Sequence, residues 1–153
     1  MGLIYKLMKI KSPAFENYEH IPKEYTCDGY NFSPPLEVVN VPEGTKSLVL
    51  IMDDPDAVGG TFTHWIIWNI SADTEELRKN HLPEEAVVGV NSEGKNKYVG
   101  PCPPSGTHVY LFKLYAIDIY LPNDLSLGKK EIRTLIEGHI IEKAILKGYY
   151  ERI

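Results

Sequence analysis

The sequence predicts a mainly-β domain of two packed sheets, with a short helix in mid-chain and a helix near the C-terminus. Two observations carry this prediction. Most apolar runs are short and are separated by Gly, Pro, Asn and Asp, which is typical of strands joined by turns. Only residues 130–150 show the period of an amphipathic helix. A βαβ arrangement is less consistent with the sequence, because the strands mostly follow one another without helices between them.

Strands are expected, in chain order, at 7–10, 36–39, 47–52, 64–70, 87–90 and 108–119. The third run is continuously apolar, which indicates a strand buried on both faces. The fourth run alternates, which would place four side chains on one face of the sheet: His64, Ile66, Trp68 and Ile70. The last run is the longest and is rich in Tyr, Val, Ile and Phe, the residues that strands favour.

Two helices are expected. Asp73 is followed three residues later by Glu76, which matches a capping box and predicts a short helix up to about residue 80. The second helix covers 130–150, where the apolar residues fall on one helical stripe: Ile132, Leu135, Ile136, Ile140, Ala144, Ile145 and Tyr149. Gly138 interrupts this stripe and would cost about 1 kcal/mol relative to Ala, so a close packing contact is expected there.

Bulk properties narrow the class of protein. The 153 residues suit a single domain spanning 1–153, and the net charge of -5 argues against nucleic acid or an anionic membrane as partner. No apolar run is long enough to span a membrane. The segment Met1–Lys6 lacks the apolar core of a signal peptide, so a cytoplasmic location is expected. Cys27 and Cys102 could form a disulfide or stay reduced, and the sequence leaves both open.

The first motif follows the continuously apolar strand. Pro55 restricts its own φ and biases Asp54 towards an extended conformation, so Asp54 and Asp56 leave the strand in a restrained geometry. Two glycines then allow the chain to return into the strand that opens at His64. Both carboxylates are therefore expected near this imidazole. Taken alone, however, the aspartates are better explained as caps of a turn.

The second motif is a proline-rich loop that leads into the longest strand. Three prolines lie within 100–104, so this segment loses little entropy on ordering and can form a stiff wall. His108 and Tyr110 are two residues apart in the strand and so point to the same side. Either residue alone could instead be a core tyrosine or a histidine bonded to the backbone.

Together the two motifs predict a small polar cup. Aspartate, histidine and tyrosine side chains can hold a phosphate-sized group through their donors. Because a carboxylate repels a phosphate, at least one aspartate is expected to be protonated, tied by other groups, or placed against a cationic part of the ligand.

At these residues the chain resembles the phosphatidylethanolamine-binding protein family, also called the Raf kinase inhibitor protein family, in its bacterial and archaeal branch. The family signature Asp-Pro-Asp-Ala, followed by His-Trp, is matched by 54–57 and by 64–65. The signature Gly-Pro-Cys-Pro-Pro-x-Gly-x-His-x-Tyr is matched by 100–110. Two positions depart from the usual pattern: Val58 replaces a proline and Val109 replaces an arginine. Neither departure removes a pocket residue.

The resemblance implies a Greek-key β-sandwich and a non-enzymatic protein that binds small anions, such as phosphate esters or the phosphoethanolamine headgroup of a phospholipid. The ligand-binding residues it implies are Asp54, Asp56, His64, Gly100, Pro101, His108 and Tyr110. It also implies a kinase or a protease as an inhibited partner, and it is compatible with a homodimer. No cofactor, bound metal or catalytic residue is expected.

Two other functions remain open on the sequence. The chain could be a protein-interaction module whose pocket is vestigial. It could also be a small hydrolase that uses His64, His108 and Asp54. Cys102 is then the only candidate nucleophile, but no nucleophile-elbow pattern surrounds it and no H-x-x-x-H pair indicates a metal.

Overall fold

The computed structural model describes residues 6–152, and the part of the chain so described contains nine strands, one α-helix and one 3-10 turn (Lys23–Tyr25). The strands are β1 (Lys9–Lys11), β2 (Glu19–His20), β3 (Leu36–Val39), β4 (Ser47–Asp54), β5 (Phe62–Ser71), β6 (Glu76–Leu77), β7 (Val87–Val88), β8 (Thr107–Ile117) and β9 (Ile140–Glu151). The helix α1 spans Lys129–Ile136. The expectation about a signal peptide concerns residues that lie, apart from Lys6, outside the described part.

The strands form two sheets, of order β1-β3-β6 and β2-β9-β8-β4-β5-β7. The mainly-β, two-sheet architecture expected from the sequence is confirmed. The prediction that both sheets are antiparallel holds for the long strands and is wrong for β2, which pairs parallel to β9 over two residues. No helix within residues 6–152 is long and apolar enough to cross a membrane.

Apolar residues form two clusters, one on each face of the six-stranded sheet. The first lies between the two sheets and joins Leu36 and Val38 of β3 to Leu48 and Leu50 of β4. The second lies on the opposite face, where α1 covers it with Ile132 and Ile136. Every residue of β4 is buried, because its side chains alternate between the two clusters. The prediction of a strand buried on both faces is confirmed.

The expected mid-chain helix at 73–80 is absent. Residues 72–73 form a turn, and Glu76–Leu77 form β6, which pairs with β3. Leu77 is the only apolar residue of the segment, so a helix there would have no apolar face to bury. Pairing with β3 instead buries Leu77 in the first cluster, and this tertiary contact outweighs the capping pattern.

The C-terminal helix begins near the expected residue but ends at Ile136, so the prediction is wrong for 140–150. Gly138 has a φ of 82°, a left-handed conformation that glycine adopts readily and that ends the helix. The chain then reverses into β9, which pairs with β8 along its whole length. Gly138 is therefore a helix terminator and not a packing contact within a longer helix; an added Cβ would meet nothing within 4 Å.

The alternation expected in β5 breaks at both ends of the strand, so that neither His64 nor Ile70 shares a face with Ile66 and Trp68. The register passes from Leu48–Ile70 to Leu50–Ile67, so β5 contains one extra residue, a β-bulge. Asn69 in this bulge has a φ of 56°. As a result Ile70 faces the first cluster together with Ile67.

Candidate functional site

Three strand ends meet at one edge of the six-stranded sheet. Since β4 is antiparallel to both β5 and β8, its C-terminal end lies beside the N-terminal ends of those two strands. The two sequence motifs lie at this edge. Asp54 ends β4, His64 lies near the start of β5, and His108 and Tyr110 lie near the start of β8.

A second β-bulge turns His64 towards this edge. The register passes from Met52–Trp65 to Asp53–Thr63, which leaves His64 as the extra residue of β5. The hydroxyl of Thr63 can then bond to Asp53 on one face of the sheet, while the His64 ring packs edge-on against the Tyr110 ring, with centroids 5.3 Å apart. Bulges commonly re-aim a side chain in this way.

The proline-rich loop lies against the segment that follows the 3-10 turn. Gly100 N–H donates to Asn31 Oδ1 at 2.8 Å, and Cys27 N–H donates to the carbonyl oxygen of Pro101 at 3.1 Å. A Cβ on Gly100 would lie 2.3 Å from the carbonyl oxygen of Tyr25, so only glycine allows this close approach. The signature therefore needs glycine here for packing.

The two cysteines form a disulfide. Cys27 and Cys102 have Cα atoms 5.4 Å apart and are bonded across 75 residues of sequence. The bond joins the proline-rich loop to the segment on which it lies, and it settles the question that the sequence left open.

A cavity of about 280 Å³ opens between the two motifs. Five of the seven residues implied as ligand-binding line it: Asp54, His64, Gly100, His108 and Tyr110. Two do not. Asp56 is exposed and its Oδ2 accepts from Val109 N–H at 3.0 Å, while buried Pro101 contributes the carbonyl group that binds Cys27. Both brace the wall of the cavity from outside.

Asp54 is tied by hydrogen bonds on both of its oxygens. His108 Nδ1 lies 2.7 Å from Asp54 Oδ2, and Asp56 N–H donates to Asp54 Oδ1 at 2.8 Å. Both side chains of the Asp54–His108 pair are nearly buried. Since a carboxylate is an acceptor, the imidazole donates from Nδ1. The pair therefore fixes the ring of His108 and leaves its Nε2 for the cavity.

His64 is held in a similar way by the backbone. Its Nδ1–H donates to the carbonyl oxygen of Val99 at 2.6 Å, which again leaves Nε2 on the cavity side. Burial lowers the pKa of His64, although the bond to Val99 and the negative charge of Asp54 act in the opposite direction. The ring is accordingly neutral near pH 7, with a lone pair on Nε2.

Tyr110 places a buried, unsatisfied hydroxyl at the cavity. Its hydroxyl is fully buried and has no hydrogen-bond partner among residues 6–152. Burial, together with the charges of Asp54 and Asp56, raises the pKa of this phenol, so it stays protonated and can donate. A buried donor without a partner costs about 1–3 kcal/mol, and a bound acceptor would remove this cost.

Sequence reasoning missed several lining residues, which are Ala57, Val58, Phe62, Glu93, Val99, Cys102, Pro103 and Pro104. Most belong to the two motifs and could have been included. Glu93 could not, because it lies in the turn after β7 and no local pattern relates it to either motif. It adds a carboxylate to the polar lining. Within residues 6–152 no three His, Cys, Asp or Glu side chains are arranged to hold a metal ion.

The chain is similar to known proteins over nearly its whole length. Residues 11–151 match the family model of the phosphatidylethanolamine-binding protein. A UPF0098 protein of Methanothermobacter thermautotrophicus is 45% identical over 150 residues, covering 95% of this chain and 99% of the relative.

Two solved structures share the fold. A phosphatidylethanolamine-binding protein homologue from Chlamydia trachomatis aligns with a TM-score of 0.93 and 39% identity, covering 96% of this chain and 99% of the other. YbcL of E. coli, described as a new member of the mammalian PEBP family, aligns with a TM-score of 0.90 and 30% identity, covering 97% of this chain and all of the other (100%). The chain therefore belongs to the phosphatidylethanolamine-binding protein family.

Proposed function

We propose that this protein binds small anions carrying a phosphate group in the cavity between the two motifs, and that it does so without catalysing a reaction. The observation that carries the proposal is the buried, unpartnered hydroxyl of Tyr110, which borders the cavity together with two imidazole rings. Asp54, His64, Gly100, His108 and Tyr110 would surround the anion, with Asp56 and Pro101 bracing the wall.

The polar groups complement a phosphate ester. Tyr110 donates from its hydroxyl, and His108, which is paired with Asp54 through Nδ1, presents its Nε2 to the ligand. Neutral His64 accepts at Nε2, which suits the P–OH group of a singly charged monoester. A phosphate monoester carries oxygen atoms that accept from Tyr110 and a P–OH group that donates to His64.

The carboxylates favour a ligand that also carries a cation. Asp54 is already bonded on both oxygens, which reduces its repulsion of an anion. Glu93 also lines the cavity; its carboxylate lies 3.7 Å from Lys95 Nζ and can turn to meet an ammonium group of a ligand. A zwitterionic headgroup such as phosphoethanolamine satisfies both signs of charge. The volume is below the usual 300–1,000 Å³ of ligand pockets, which fits a headgroup and not a whole lipid.

Inhibition of a kinase or protease, a homodimeric state and a cytoplasmic location are further parts of the proposal. Their support comes from family membership and from the composition of the chain, and not from any contact described within residues 6–152.

The alternatives make different predictions. A hydrolase with a covalent intermediate would need a protein nucleophile, and the one candidate, Cys102, is held in the disulfide and has no free thiolate in this state. A protein-interaction module with a vestigial pocket would have no use for the buried donor of Tyr110.

The proposal is tested by titrating the protein with phosphoethanolamine and following the imidazole nitrogens by NMR. His64 and His108 should shift, whereas His20, His81 and His139, which do not line the cavity, serve as internal controls. The absence of a shift at millimolar ligand would favour the vestigial module. Release of inorganic phosphate in the ³¹P spectrum would show a hydrolase instead.

A further inference from the structure

We propose that the Cys27–Cys102 disulfide is an exchangeable redox lock on the cavity, such that reduction by a dithiol weakens anion binding. The inference rests on the proposed function and adds a means of regulating the same site. It follows from the position of the bond, from its accessibility and from what else holds the loop.

The bond lies in the wall of the cavity. Cys102 lines the cavity, as do the two residues that follow it, Pro103 and Pro104. The partner Cys27 comes just after the 3-10 turn Lys23–Tyr25, on the segment against which the loop packs. Both cysteine residues are exposed, and we expect a dithiol in solution to reach the bond between them.

The two halves of the loop are held by different means. The half before Cys102 is fastened by the hydrogen bonds of Gly100 with Asn31 and of Pro101 with Cys27. The half after it has no such support: within the described part of the chain, no hydrogen bond reaches residues 102–106. Among the bonds that residues 6–152 make, the disulfide is thus the only specific one that fixes the distal half, in addition to the packing of buried Pro103.

The distal half leads directly into the binding residues. Gly106, with a φ of 71°, makes the turn into β8, and His108 follows two residues later. If the bond at Cys102 opens, Pro103 and Pro104 lose their fixed position opposite His108. The cavity then has to be ordered when the anion binds, and this ordering cost reduces affinity.

The chemistry is ordinary thiol–disulfide exchange. One thiolate of the dithiol attacks a sulfur of the bond, forms a mixed disulfide and releases the other cysteine, which takes a proton. The second thiolate of the dithiol then attacks the mixed disulfide, closes a ring and frees the remaining cysteine. Two electrons and two protons pass to Cys27 and Cys102, and the dithiol leaves as a cyclic disulfide.

The test compares oxidised protein with protein reduced by dithiothreitol under nitrogen, titrated with phosphoethanolamine by calorimetry. We expect the Kd to rise about fivefold on reduction and to recover on reoxidation. The double variant C27S/C102S should bind like the reduced protein and should not respond to dithiothreitol. Fluorescence of Trp65 and Trp68, which are buried in the core, reports whether the fold persists.

Several other outcomes count against the lock. Equal affinity in the two states, or a bond that dithiothreitol does not open, would overturn this inference alone. If reduction abolishes the tryptophan fluorescence of the folded protein, the disulfide stabilises the whole fold and does not act on the cavity alone. If the double variant does not fold, the comparison between the oxidised and the reduced natural protein still tests the proposal. Binding in neither state would overturn the proposed function, and this inference with it.

Discussion

Asp53 and Asp54, adjacent at the end of β4, point to opposite faces of the six-stranded sheet. On the outer face, Asp53 has no exposed surface, and its Oδ2 binds Lys129 Nζ at 2.7 Å and Lys113 Nζ at 3.1 Å. Its Oδ1 accepts from the hydroxyl of Thr63 at 2.9 Å. Although burial would raise the pKa of Asp53, these ammonium and hydroxyl groups hold it below the ordinary value.

On the inner face, Asp54 belongs to an arrangement that residues 6–152 leave incomplete. Its own oxygens are bonded, but the groups around it include the unpartnered hydroxyl of Tyr110 and the Nε2 atoms of His64 and His108. The difference shows how a structural polar cluster can be told from a binding site. In the structural cluster around Asp53, hydrogen-bonding and charged groups of the protein satisfy one another. In the binding site around Asp54, a ligand is needed to satisfy them.

Among the substitutions that test this difference, Asp53→Asn should have the largest effect. Two ammonium groups would remain largely buried without a counter-charge, and we expect the free energy of unfolding to fall by about 3–5 kcal/mol. Urea denaturation followed by tryptophan fluorescence measures the change. Asp118→Asn, at an exposed pair with His139, is the matched control and should have little effect. A loss below about 1 kcal/mol for Asp53→Asn would contradict a structural role for the cluster.

The same cluster predicts part of the acid sensitivity. Because the pKa of Asp53 is lowered in the folded state, its contribution is fully present above the unfolded value near 3.8. It is lost as the pH falls from there through the lower, folded pKa. The stability gap between the natural chain and Asp53→Asn should therefore narrow below about pH 4 in urea titrations at a series of pH values. A constant gap would argue against this assignment.

Tyr110→Phe tests the role of the unpartnered hydroxyl in the binding site. It removes an unsatisfied donor, so the free energy of unfolding should stay the same or rise, by up to about 3 kcal/mol. The Kd for phosphoethanolamine should rise about tenfold because the donor to the anion is lost. Thr63→Val removes a satisfied hydroxyl and should have the reverse pattern, with lower stability and unchanged affinity. Calorimetry and urea denaturation on both variants decide; a Tyr110→Phe variant that binds normally refutes the role of the hydroxyl.

The smallest effect expected is in the pH dependence of binding. Burial keeps the pKa of His64 low in the free protein, and a bound anion favours the imidazolium form. Affinity should therefore increase as the pH falls below about 7, by at most tenfold per pH unit. Dimethyl phosphate is a suitable probe because its charge does not change in this range. In His64→Gln the part of the dependence due to His64 should vanish, and an unchanged profile would exclude this ring.

Much of the site could be predicted from local sequence because its geometry is local. Pro55 restrains Asp54, and the two-residue spacing of His108 and Tyr110 places both on one side of a strand. The strand at Leu36–Val39 was likewise predicted with the bounds it has. These features depend only on backbone restraints over a few residues.

The C-terminal segment shows where local reasoning stops. Ile136, Ile140 and Ala144 are spaced four apart and fit a helix, yet Ala144 and Leu146 are spaced two apart and fit a strand as well. Pairing of β9 with β8 decides between them, and it buries Ala144 and Leu146 while leaving Ile140 exposed. A propensity worth a few tenths of a kcal/mol per residue is easily outweighed by such pairing.

The sequence by itself determined which chemical groups are present, the turns that carry them and the family to which they belong. The tertiary structure decided the rest: the bulge that aims His64, the disulfide across 75 residues, the approach of Glu93 and the partners of Asp53. The physical reason is distance along the chain. Backbone restraints act between near neighbours, whereas pairing, burial and charge compensation join residues that only the completed sheets bring together.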